Sequence, residues 1–165
     1  TISQIEITSC GLNAGPLPAQ GKYLSYIACH LTESDRTKVG EVVMAGPGEP
    51  LPKLPEEMPY ITEEQDEGYE HGCKPYICNM RTGTVAGFKY FEFDGTEREI
   101  ALELRGIGKV EISVDALDGE VVAEAENTDE IWNVVSMTLK KTEGDHALYV
   151  KCVDGKLDFA SVEMK

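Results

Sequence analysis

The residues able to do chemistry are numerous, but few are arranged for it. The chain holds 30 Asp and Glu against 15 Lys and Arg, a formal charge of −15 over 165 residues. Glycoside hydrolysis needs two carboxylates at a fixed separation across a sugar, and no pair among the thirty is singled out by spacing. Cys73 and Cys78 with nearby His71 offer thiols and an imidazole. No second pair at zinc-finger spacing accompanies them, and such cysteines are more often buried thiols. His30, His71 and His146 have no neighbouring Ser or Cys that makes a triad, and no glycine-rich phosphate loop is present. The five cysteines are odd in number and do not read as a disulfide framework. The sharper signal is aromatic. Trp132 is the single tryptophan and follows the polar stretch NTDE, and Tyr76 sits in PYICNM. Such rings either pack a core or stack on the apolar CH face of a pyranose.

The elements that would position these rings are strands. GTVAGFKYFEF, residues 83–93, carries Phe88, Tyr90, Phe91 and Phe93 between glycine turns and reads as the central core strand. EIALELR (99–105) sets Ile100, Leu102 and Leu104 against Ala101, Glu103 and Arg105; KVEISVDA (109–116) alternates likewise. That is a period of two with one wet face. EVVAEAE, IWNVVSMTL, HALYVKCV and LDFASVEM continue the series, with Asp118-Gly119 and Asp154-Gly155 placed as tight hairpin turns. No segment has a helical period, so the expected fold is all-β: an antiparallel sandwich or barrel. Upstream, TISQIEITS, KYLSYIACHL (22–31) and VGEVVMA (39–45) read as strands, and QDEGYEHGCK as an acidic loop. Residues 46–59 hold five of the eight prolines, a stiff extended linker. The boundary therefore falls near residue 52: a β-rich N-terminal extension over 1–52 and a sandwich over 53–165.

The charge makes nucleic acid a poor partner, because phosphate binding needs clustered cations, and it disfavours anionic membrane surfaces. No run of about 18 apolar residues offers a membrane span, and the first residues lack the basic start and apolar core of a leader. A neutral partner, such as a carbohydrate or another protein, suits the acidic surface, and calcium is compatible with it.

Read in order, GTVAGFKYFEF, IALELRGIGKVEISVDALDGEVVAEAE and IWNVVSMTLKKTEGDHALYVKCVDGKLDFASVEMK resemble a family 6 carbohydrate-binding module over residues 58–165. GFKYFEF is similar to modules attached C-terminally to family 43 glycoside hydrolases, the xylosidases and arabinofuranosidases, and YITEE resembles the family's opening strand. EITSCGLNAGPLPAQGKYLSYIACHL is similar to a segment between catalytic and binding domains in those enzymes. The resemblance implies a jelly-roll β-sandwich, a non-catalytic role and a secreted, periplasmic or cell-surface location. It implies a sugar cleft at the loop end in which two rings sandwich a sugar and an amide bonds its hydroxyls. Tyr76 and Trp132 match the rings; Lys156 stands where the amide is expected and can donate to a hydroxyl. It also implies a structural calcium, with Glu64 and Asp158 matching its opening-strand and closing-strand acids and Thr62 replacing a further acid. The implied partners are a plant cell-wall polysaccharide, xylan or arabinoxylan, and the chain's own catalytic domain. A sandwich that docks on that domain without binding free sugar is the competing reading.

Overall fold

The computed structural model describes residues 6–8, 11–13, 15–32, 58–69 and 72–165. Most of them lie in strands. β1 (Glu6–Thr8) and β2 (Gly11–Asn13) form a two-stranded ladder. The other ten strands share one hydrogen-bonded sheet folded on itself: β3 (Leu17–Pro18), β4 (Gly21–Leu24), β5 (His30–Thr32), β6 (Tyr60–Gln65), β7 (Cys73–Arg81), β8 (Val85–Asp94), β9 (Glu99–Val114), β10 (Val121–Asn127), β11 (Asn133–Thr138) and β12 (Glu143–Met164). The all-β sandwich expected from the period-two runs is borne out. Its one parallel pair is β3 against β8, so the sheet is mixed rather than wholly antiparallel.

The fold depends on two long strands. β9 and β12 pair along most of their length, from Leu148↔Val114 to Met164↔Ile100. One half of this ribbon carries β10 and β8; the other carries β11, β7 and β6. The bend lies where Gly155 pairs with Gly108 and Leu157 with Gly106. Gly106 has φ +108°, and a Cβ there would meet the Lys156 carbonyl oxygen at 2.5 Å. Only a residue without a side chain permits that approach. Asp154-Gly155, expected as a hairpin, is therefore a kink within one strand: the residues on both sides of it are antiparallel to the same β9. Asp118-Gly119 does lie in the turn joining β9 to β10.

Phe88, Phe91 and Phe93 from one layer and Ile77, Leu104, Phe159 and Val162 from the other are buried between the two. The Phe88 and Phe159 rings meet edge to face at 6.2 Å. Tyr90, expected in this core, is 57% exposed. His146 faces Phe91 and Leu148 faces Phe88, so β8 holds one extra residue at this point. This bulge returns Phe91 to the inner face and turns Lys89 and Tyr90 outward.

Part of the segment before the boundary expected near residue 52 shares the sheet with the residues after it. Within that segment, β4 pairs with β12 at Ser161↔Leu24 through Met164↔Gly21, and β5 pairs with β8. Ala19 is in the core, and buried Ser25 donates its hydroxyl to the Phe159 carbonyl at 2.7 Å. KYLSYIACHL is not one strand either; a 3-10 turn at Ser25–Ile27 separates β4 from β5. The strand expected over 39–45, most of the proline-rich linker, Cys10 and His71 lie outside the described residues. Cys29, Cys73, Cys78 and Cys152 are free thiols. Among the described residues no helix is long and apolar enough to cross a membrane.

Candidate functional site

Period two places one set of β6, β7, β9 and β12 side chains in the core and the other on the outer face of the second layer. Thr62 pairs with Tyr76 and Glu64 with Lys74. Asp158 pairs with Arg105, and Ser161 with Glu103. Trp132, just ahead of β11, packs onto this face. Four of the five residues expected at two separate sites, Tyr76 and Trp132 of the cleft and Glu64 and Asp158 of the calcium site, are thus brought together from four separate stretches of chain.

Their arrangement differs from the expected one. The Tyr76 and Trp132 rings do not frame a gap of sugar width; they touch edge to face, with centroids 5.2 Å apart and planes at 75°. The Arg105 guanidinium lies 4.4 Å from the Trp132 ring and 5.0 Å from the Tyr76 ring, within cation–π range. It donates from Nη1 to Glu64 Oε2 at 2.8 Å and from Nε and Nη2 to Asp158 Oδ2 at 3.0 and 2.8 Å. Glu64 Oε1 accepts the Trp132 indole N–H. Asp158 Oδ1 accepts the Asn79 backbone N–H at 3.0 Å. Asn79 makes that bond at φ +58°, a conformation asparagine tolerates better than most residues. Burial pushes the Glu64 carboxyl up, but its bonds from Arg105 and Trp132 outweigh this and hold it below its ordinary value.

A second cation lies beside the first. Lys74 Nζ is 2.7 Å from Glu103 Oε1 and 3.3 Å from Asp66 Oδ2, and it sits over Trp132 and Tyr69 at 4.8 and 5.3 Å. Glu103 Oε2 accepts from the Tyr69 hydroxyl and Ser161 Oγ, both at 3.0 Å, and from Lys22 at 3.3 Å. Burial alone would raise the Glu103 carboxyl; the lysines and the tyrosine hydroxyl override it and hold it down to about 2. Neither Glu64 nor Glu103 is tuned upward as a general acid must be. The chemistry of the cluster is ion pairing and cation–π packing.

Lys156 is exposed on the same outer face, opposite Ile107. No hydrogen bond or ion pair joins it to Tyr76 or Trp132 among the described residues. An open cleft of about 470 Å³ lies instead at the β6 edge, lined by Tyr26, Ile61, Thr62, Glu63 and Pro75. Sequence reasoning missed Lys74, Glu103, Arg105 and Tyr26. Glu103 and Arg105 read as wet-face residues, visible as opposite charges two apart on one strand face, and Lys74 closes the stretch read as an acidic loop. Tyr26 carries no sequence signal beyond being an aromatic next to a turn.

No family model matches the chain. A xylosidase/arabinosidase of Thermoclostridium stercorarium is 33% identical over 152 residues; the match covers 90% of this chain, which spans 30% of that relative's length. A family 6 carbohydrate-binding module of Clostridium stercorarium in complex with cellobiose superposes with a TM-score of 0.64 at 10% identity, covering 92% of this chain and 97% of that one. A β-1,3-glucan-binding family 6 module of Bacillus halodurans gives 0.65 at 10% identity over 92% and 99% of the two chains. A family 43 arabinoxylan arabinofuranohydrolase of Bacillus subtilis gives 0.64 at 12% identity, covering 98% of this chain and 33% of that one. The chain therefore has the β-sandwich fold seen in the family 6 carbohydrate-binding modules.

Proposed function

We propose that this chain is a non-catalytic carbohydrate-binding module that holds a polysaccharide-degrading enzyme on its substrate outside the cell. The observation that carries the reading is the sandwich shared, over 92% of the chain, with a module crystallised with cellobiose. A net charge of −15 also suits a neutral ligand. Xylan or arabinoxylan is the polymer placed first, supported by the names of the arabinofuranohydrolase and the xylosidase/arabinosidase relative. β-1,3-Glucan is its competitor.

The sugar surface is assigned to the open cleft rather than to Tyr76 and Trp132, whose rings are already engaged. Tyr26 is 48% exposed and has no ring partner among the described residues. Its face and the Ile61 and Pro75 side chains suit the apolar side of a pyranose, and Thr62 and Glu63 suit its hydroxyls. Calorimetric titration with xylo-, cello- and β-1,3-gluco-oligosaccharides tests the function. Saturable binding to one series is expected, and flat isotherms for all three at millimolar ligand would sink it. Binding retained by Tyr26→Ala and lost in Trp132→Phe would return the surface to the ring pair.

The docking reading is favoured by one observation: Ile131 and Val134, which flank Trp132 in sequence, and Ile107, two residues after Arg105, are exposed at 74%, 60% and 57%. Flat isotherms, together with measurable association between this chain and the catalytic part of its enzyme, would establish it.

A further inference from the structure

The family resemblance implies a calcium held by Glu64 and Asp158, and the donor set does not fit one. A calcium ion takes six to eight oxygens. All four carboxylate oxygens here already accept hydrogen bonds: Glu64 Oε1 from Trp132, Glu64 Oε2 and Asp158 Oδ2 from Arg105, and Asp158 Oδ1 from the Asn79 amide. Among the described residues no group of three His, Cys, Asp or Glu side chains is placed to hold a metal. A guanidinium lies between the two acids.

From this geometry we infer that Arg105 is the resident cation of the site: its side chain ties the edge strand β6 to β12 and keeps a divalent ion out. Several features suit a guanidinium to this task. Its charge is permanent, so the tie does not depend on a free ion in the surroundings. Its planar fork reaches Asp158 through two nitrogens and Glu64 through a third, joining strands that are not neighbours, since β7 lies between them. The fork also packs against Trp132 and Tyr76, two faces that a hydrated metal would leave wet. A lysine supplies the charge but not the fork.

Thermal melting of the chain in calcium and in chelator tests this directly. The parent is expected to melt at one temperature in both. Arg105→Ala should melt roughly 5 °C lower, because two partly buried carboxylates lose their counter-ion. Millimolar calcium should then raise the melting temperature of Arg105→Ala by a few degrees, and should not do so when Glu64→Gln is added. Arg105→Lys should recover less than half of the loss. A parent that chelator destabilises overturns the inference, even if Arg105→Ala fails to fold. So does an Arg105→Ala variant that melts with the parent or ignores calcium.

Discussion

Lys74 and Arg105 sit side by side on one sheet face and share Trp132, yet their surroundings differ. The Lys74 side chain is 6% exposed, and that of its partner Glu103 is 11% exposed; Arg105, Glu64 and Asp158 are 26%, 31% and 20% exposed. The lysine pair is therefore the one that depends on its partner, since a buried charge left alone is costly and a half-wet one can recruit solvent. The arginine group depends on shape. Its fork spans three strands, which a point charge cannot do. Burial sets how much each pair matters to stability, and geometry sets what it ties together.

The largest effect should come from separating the buried pair. Lys74→Met leaves Glu103 desolvated without its nearest cation, and we expect a loss of about 4 kcal/mol in denaturant unfolding. Adding Glu103→Leu should restore at least half of it. If Lys74→Met costs less than Arg105→Ala, the comparison fails. Acid probes the same pair. Glu103 titrates at about 2 when folded against 4.5 unfolded. Its contribution is complete above the unfolded value and fades as the pH falls from about 5 toward 2, by roughly 3 kcal/mol in all. Glu103→Gln should flatten that part of the pH–stability curve. Trp132→Phe comes next: it keeps an aromatic ring near both cations but removes the indole N–H from Glu64, for an expected loss of about 1–2 kcal/mol. The smallest effect lies far from the cluster. The Asp115 carboxylate beside His146 raises the imidazole above its ordinary 6.5. A raised folded value means that the contribution is present below about 6.5 and disappears as the pH rises through the folded value. Asp115→Asn should remove this modest slope and no more than about 1 kcal/mol, because the pair is at the surface.

The sandwich was legible because strand alternation is local: Ile100, Leu102 and Leu104 announce their shared face without any knowledge of what covers it. The family likeness lay in the same runs. Three features were not legible, each for a physical reason. The Asp154-Gly155 kink has the composition of a hairpin turn, and only the continued pairing of both flanks with β9 tells the two apart. The outward turn of Tyr90 follows from one extra residue relative to β12, which no single strand reveals. At the site, Tyr76 was grouped with Trp132 and Glu64 with Asp158, but neither the meeting of the two pairs nor what lies between them was legible. Arg105 reads as an ordinary wet-face residue until the pairing Asp158↔Arg105 is known. In this structure the Arg105 side chain lies against both rings and between both acids.

The β12 strand has a consequence for how the protein is made. It lies against β7, β8, β9 and β4, so the centre of the sheet is the last part of this sequence to be synthesised. Residue 21 waits for residue 164. A nascent chain that has reached β11 has most of its strands but not the one that joins them, and it presents hydrogen-bonding edges with apolar faces beside them. Closure of such distant pairings is slow. The interval before β12 emerges is thus when this chain is most exposed to aggregation, and most in need of a chaperone.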